Sequence, residues 1–238
     1  MLANHRRTFL YSAALLLVTA AVFLGVGRHP PSEAPATTFE PIGRLDLRVL
    51  DLAESIRNDV LTAIARVLNV LGAGIVTIPL RAVVALWLAV TRRWRAFTVW
   101  ILTWITVEVL IEATKAFYHR GRPPDPLVAT SGFSFPSGHA VASASIAVAL
   151  VLVLMAPGAR RRKWEWFAAG FAFLMALSRV YLNAHWLSDV VAGVLLGTGV
   201  ALAWAALVTE LRDVMKRRSG GDAAPDAPSE LEVPLAPG

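Results

Sequence analysis

The sequence predicts an all-α fold: a bundle of six transmembrane helices with an active site at the extracytoplasmic ends of helices three to six. Three observations carry this. Six apolar runs of roughly 20 residues divide the chain, each about long enough to cross a hydrocarbon core. The composition is 56% hydrophobic, with a mean hydropathy of +0.57, where soluble domains sit near about 45–50% apolar. The connecting segments also alternate, strongly basic ones with ones rich in Gly, Pro and polar residues.

Residues 1–7 are a short basic start. Residues 8–27 form the first span, read as a retained anchor. The rival is a cleaved signal peptide, helped by Ala34-Pro35-Ala36, but the run exceeds the roughly 7–15 residues of a signal core. Residues 28–41 read as an extended loop. Residues 45–70 mix acids and arginines with Leu, Val and Ile. They suit either an amphipathic helix at the membrane surface or an ordinary solvated loop. Residues 71–90 are the second span, interrupted by Pro79 and Arg81. Arg92, Arg93 and Arg95 mark a tight basic turn. Residues 96–117 are the third span, carrying Glu108 and Glu112, and residues 118–135 a polar loop. Residues 140–156 are the fourth span, rich in small residues that permit close helix packing. After a basic turn at 157–163 come the fifth span at 164–182 and the sixth at 187–208. The membrane domain thus covers 8–210, with 28–70 an extracytoplasmic loop. Residues 211–238 read as a cytoplasmic tail, largely disordered by composition.

Six spans put both termini on one side. Arg6 and Arg7, the arginines of the 91–95 turn, Arg160 to Lys163, and Arg212 to Arg218 all fall there, which makes that side cytoplasmic. The same distribution explains the net charge of +6 without nucleic acid. There is no Cys, so disulfides and thiolate metal sites are excluded.

Three stretches carry chemistry: Lys115 to Arg122-Pro123, Pro136-Ser137-Gly138-His139, and Ser178-Arg179 to His185 and Asp189. His185 and Asp189, four apart, share a helix face. The carboxylate can accept one imidazole N–H and fix its tautomer, leaving the other nitrogen to attack phosphorus. Arg179 and His185 are six apart, about 240° around one helix, so a single helix cannot aim both at one phosphate. Helix five should therefore end near Leu182 and helix six start near Trp186, with Asn183 at the break. His139 is the candidate general acid. Ser137 and Gly138 open helix four, where backbone N–H groups can face an anion. Lys115, Arg122 and Arg179 suit a phosphate cradle. His119 and Arg120 read as surface residues. No His-x-x-x-His pair or carboxylate cluster calls for a metal, and no cofactor is expected.

The pattern Lys-x6-Arg-Pro, Pro-Ser-Gly-His, Ser-Arg-x5-His-x3-Asp resembles that of the integral-membrane type 2 phosphatidic acid phosphatases, in order and with every element present. The resemblance implies a phosphatase of membrane lipids working through a phosphohistidine at His185. It points to bacterial lipid phosphatases acting on undecaprenyl pyrophosphate, phosphatidylglycerophosphate or phosphatidic acid, in the inner (plasma) membrane and facing the periplasm or exterior. A phosphotransferase with another acceptor, and a non-catalytic lipid or anion transporter, are the competing readings. The expected partners are the bilayer and the lipid phosphate. Substrate identity and oligomeric state stay open.

Two charges lie outside these motifs. Arg81 and Glu108 each sit about 15–20 Å from the basic turn, near mid-membrane, on antiparallel neighbours. An isolated charge there costs at least about 2.5–3.5 kcal/mol, so the two should pair, unless Glu108 is protonated and Arg81 snorkels. Glu112 could then orient Lys115.

Overall fold

The computed structural model describes residues 5–26 and 40–220. Eight helices run through them: α1 (His5–Val26), α2 (Glu40–Ser55), α3 (Asp59–Gly72), α4 (Gly74–Val90), α5 (Trp94–Tyr118), α6 (Gly138–Leu154), α7 (Ala159–Tyr181) and α8 (Leu187–Gly220). The described residues contain no strand. The sequence readings for 28–39 and 221–238 lie outside the described residues.

Helices α1, α5 and α8 are each long and apolar enough to cross a membrane. The pair α3 and α4, bent by 45° at Ala73, supplies a fourth such segment, and α6 is a shorter apolar helix of 17 residues. Large apolar side chains face outward, with Ile75 80% and Leu24 79% exposed. In water such a surface would aggregate; in lipid it is the ordinary exterior. The chain is a membrane protein.

Several boundaries differ from the sequence expectation. Residues 45–70 form two helices, not one. The first ends at Ser55, and Asn58 caps the second, its side-chain oxygen accepting the Leu61 N–H at 2.9 Å. On α2 the inward residues are Asp46, Leu50 and Ala53, while Leu45, Leu47 and Leu52 point out. The helix is amphipathic: Val49, Leu50 and Ala53 lie on the inward face, against α7 and α8, and Arg44, Arg48 and Asp51 are exposed. Helix α7 begins at Ala159, so the basic residues 160–163 form its first turn. Helix α8 runs to Gly220, so residues 211–220, assigned to the tail, are helical.

The bundle is tight where small residues meet. Helix α8 lies on α6 so closely that a Cβ on Gly197 would stand 2.4 Å from the Val141 carbonyl oxygen. Helix α1 lies along α8, with the Ser12 hydroxyl donating to the Gly199 carbonyl at 2.9 Å. The hypothesised pair of Arg81 with Glu108 is present. Arg81, 2% exposed, donates through Nη1 to the Glu108 carboxylate and stacks 5.6 Å from the Trp104 ring centroid. Glu112 acts on Lys115 only through space; among the described residues no ion pair joins them.

Candidate active site

The ends of α5 and α7 and the starts of α6 and α8 meet at one end of the bundle. Helix α7 stops at Tyr181 in a Schellman turn. Asn183 adopts the left-handed φ of +51°, Asn183 N–H donates to Val180 O at 2.9 Å, and Ala184 N–H donates to Arg179 O at 3.0 Å. This reversal frees His185 from the helix phase of Arg179. After the five residues 182–186, α8 starts at Leu187. There Asp189 reaches back through Oδ2 to the Trp186 N–H at 3.0 Å, as a capping-box acid does.

His185 is 3% exposed. Its Nδ1 faces Asp189 Oδ2 at 3.5 Å, slightly wider than a formed hydrogen bond. Its Nε2 accepts from Arg122 Nη1 at 3.2 Å. Those two neighbours put the ring proton on Nδ1 and the lone pair on Nε2. Burial pushes the imidazole down to about 4, against the pull of Asp189 and with that of Arg122 and Arg179, so the ring is neutral at pH 7.

Arg122 has every donor engaged. Nε bonds Gly132 O at 3.0 Å, Nη1 bonds Ala184 O at 2.7 Å besides His185, and Nη2 bonds Ser131 O at 2.8 Å and Phe133 O at 3.1 Å. Arg179 donates through Nη1 to the Asn69 side-chain oxygen. His139, in the first turn of α6, holds its Nε2 3.1 Å from the Asn69 carbonyl oxygen. Asn69 thus touches both groups from α3. His139, His185, Arg122 and Arg179 lie within electrostatic range of one another. Lys115, half-buried at the end of α5, feels Arg122. Ser137 and Gly138 open α6, but the Ser137 N–H is bonded to the Asp189 carbonyl at 3.1 Å and does not face an anion as expected. The Ser137 hydroxyl is buried without a hydrogen-bond partner.

The sequence reading placed Arg120 on the surface. It is instead 1% exposed, with its guanidinium between Asp46 Oδ2, at 2.7 Å, and Asp189 Oδ1. The reason is charge: two buried carboxylates require a cation between them. His119 is exposed, as read, and ends α5 with a left-handed φ of +50°. Asp46, Asn69 and Ser188 were not singled out. For Asp46 the available signal was its helical spacing with Leu50 and Ala53 on α2.

A family model described as the PAP2 superfamily matches residues 94–213, which covers the three motifs and every site residue except those on α2 and α3. The chain belongs to the PAP2 superfamily. Phosphatidylglycerophosphatase B of Bacillus subtilis (strain 168) is 34% identical over 145 residues, or 59% of this chain and 70% of the relative. A crystal structure of a transmembrane PAP2-type phosphatidylglycerolphosphate phosphatase from Bacillus subtilis superposes with a TM-score of 0.70 at 26% identity, covering 87% of this chain and 98% of the other. LpxE of Aquifex aeolicus superposes with a TM-score of 0.54 at 23% identity, over 69% of this chain and 94% of its own, a likeness of fold alone. The protein is a membrane phosphatase of the superfamily.

Proposed function

We propose that this PAP2 enzyme hydrolyses the phosphate ester of a membrane lipid, phosphatidylglycerophosphate first among the candidates, through a phosphohistidine on His185. The observation that carries the reading is the setting of His185: a neutral, buried ring with Nδ1 toward a carboxylate, Nε2 bonded by the Arg122 guanidinium, and Arg179 within electrostatic range. Nε2 attacks phosphorus, and the P–O bond to the lipid breaks. His139 gives its proton to the leaving oxygen. Water then attacks the phosphohistidine, His139 takes the water proton, and phosphate leaves. Asp189 holds the Nδ1 proton and offsets the charge on the ring. Lys115, Arg122 and Arg179, with the Ser137 hydroxyl and the Gly138 backbone, carry the phosphate oxygens. No metal has a part in these steps.

Two features support phosphatidylglycerophosphate: the phosphatidylglycerophosphatase relatives, and a site at the end of a bundle whose flanks face lipid. The test is phosphate release by purified protein, in detergent with EDTA, from phosphatidylglycerophosphate, undecaprenyl pyrophosphate and phosphatidic acid. The expected order places phosphatidylglycerophosphate first by kcat/KM. A faster undecaprenyl pyrophosphate reaction would reassign the substrate, and transfer to an added alcohol without free phosphate would reassign the reaction.

The topology that goes with this reading has six spans: α1, the bent pair α3–α4, α5, α6, α7 and α8. The membrane domain covers 8–210, the basic turns are cytoplasmic, and the site faces the periplasm or exterior. In the protein without native Cys, Ser131→Cys should react with an impermeant thiol reagent added outside intact cells, and Ala159→Cys should not. Labelling in the opposite sense would invert the orientation.

A further inference from the structure

A charged cluster joins the motif carboxylate Asp189 to three residues that the motif roles leave unassigned, Asp46, Arg120 and Ser188. Asp46 projects from α2, outside the stretch that the family model matches. Its Oδ1 accepts the Ser188 N–H at 2.8 Å, and its Oδ2 accepts both the Ser188 hydroxyl and Arg120 Nη2 at 2.7 Å. Arg120 Nη1 in turn bonds Ser188 Oγ at 2.7 Å and the Asp189 carboxylate. Asp46 and Arg120 are each 1% exposed and Asp189 fully buried. The guanidinium also lies 5.7 Å from the Trp186 ring centroid.

We infer that Asp46 is a positioning residue of the reaction centre, acting through Arg120 on the carboxylate that faces His185. The inference rests on the nucleophile reading above. Buried ion pairs are poor stabilisers compared with apolar packing, so fold stability alone is a weak reason for this cluster. Its charge count supplies a better one. The cluster itself, two carboxylates and one guanidinium, sums to −1 on the Nδ1 side of His185, away from the Arg122 guanidinium at Nε2. When Nε2 captures a phosphoryl group the ring becomes cationic, and that −1 balances it. Without Asp46, Arg120 would neutralise Asp189 and leave nothing for the ring. Asp46 also holds one of the first N–H groups of α8, the turn that carries Asp189, which fixes where that carboxylate stands.

The test uses full-length protein in detergent with phosphatidylglycerophosphate as the probe. Asp46→Asn keeps the shape and an acceptor for Ser188 but removes the charge. It should lower kcat per folded molecule about tenfold, with KM within about twofold. Combined with Asp189→Asn it should cost nothing further, because the carboxylate through which it acts is gone. A purely structural role would lower the yield of folded protein and leave kcat unmoved. If Asp46→Asn does not fold, Ser188→Ala, which removes the hydroxyl shared by Asp46 and Arg120, should lower kcat several-fold at unchanged KM. Wild-type kcat in the folded variant, a loss confined to KM, or a loss that multiplies fully with Asp189→Asn overturns the inference. His185→Ala separates the two levels. If it is inactive while Asp46→Asn matches wild type, only the role of Asp46 falls. If it stays active, the nucleophile reading falls, and the inference with it.

Discussion

His185→Ala is expected to remain folded and to lose phosphate release by at least about 10⁴-fold. The size follows from the role: a covalent step has no substitute once the attacking nitrogen is gone. Retention of the fold follows from the contacts. The ring gives up only a long approach to Asp189 and one bond from Arg122, and Arg122 keeps its four carbonyl acceptors. The thermal midpoint in detergent should fall by a few degrees at most, about 1 kcal/mol. Asp189→Asn should keep the nucleophile but lose its orientation, lowering kcat by about 10³-fold. Rapid quenching of wild type with labelled substrate should trap acid-labile, alkali-stable phosphate on the protein, absent from His185→Ala. Turnover within tenfold of wild type in His185→Ala would remove the phosphohistidine from the mechanism.

The second large effect falls on the scaffold. Gly197→Val should unfold the bundle or lower its thermal midpoint by roughly 6–12 °C, equivalent to about 3 kcal/mol of overpacking. A Cβ at Gly197 would meet the Val141 carbonyl oxygen at 2.4 Å and the Ser145 nitrogen at 3.0 Å. Both are backbone atoms of α6, so no side chain can swing aside; the helices must part. Parting them would also strain the Ser137 N–H to Asp189 carbonyl bond that ties the start of α6 to the start of α8. Gly170→Ala is the control. Nothing lies within 4 Å of a Cβ there, on the exposed face of α7. Its midpoint should stay level or rise, since Ala favours helix by up to about 1 kcal/mol. Equal behaviour of the two variants would mean that α6 and α8 are not in backbone contact.

What the sequence revealed tracks what local physics controls. Apolar runs impose helices in lipid because every backbone polar group must be satisfied internally, and the helices α5, α6 and α8 start within two residues of the expected positions. The break at Asn183 was legible because the phase of Arg179 against His185 demanded it. The Arg81–Glu108 pair was legible because a lone charge at depth is costly and a short turn fixes both depths. Arg120 was not. Its neighbours His119 and Gly121 read as a polar loop, and its burial depends on Asp46, 74 positions away. Periodicity carries no information about that pairing. Asn69 was hidden likewise: nothing local to 45–70 indicates that α3 lies across the site and touches both His139 and Arg179. The split of that stretch into two helices was written in Asn58, but a capping residue inside an amphipathic run is easily absorbed into one longer helix.

Arg122 is already saturated, its guanidinium wrapped by the carbonyls of Ser131, Gly132, Phe133 and Ala184. On the proposed reading, a phosphate group cannot simply add to it; it has to evict carbonyls. Affinity is then the difference between charge-assisted and ordinary hydrogen bonds, not their full strength. Such an exchange makes a leaky grip by intent of the geometry: free phosphate, lacking a lipid tail to hold it nearby, is let go as the carbonyls return. On that reading, inorganic phosphate is expected to be a weak competitive inhibitor, although the cations of the site would otherwise make it a phosphate trap.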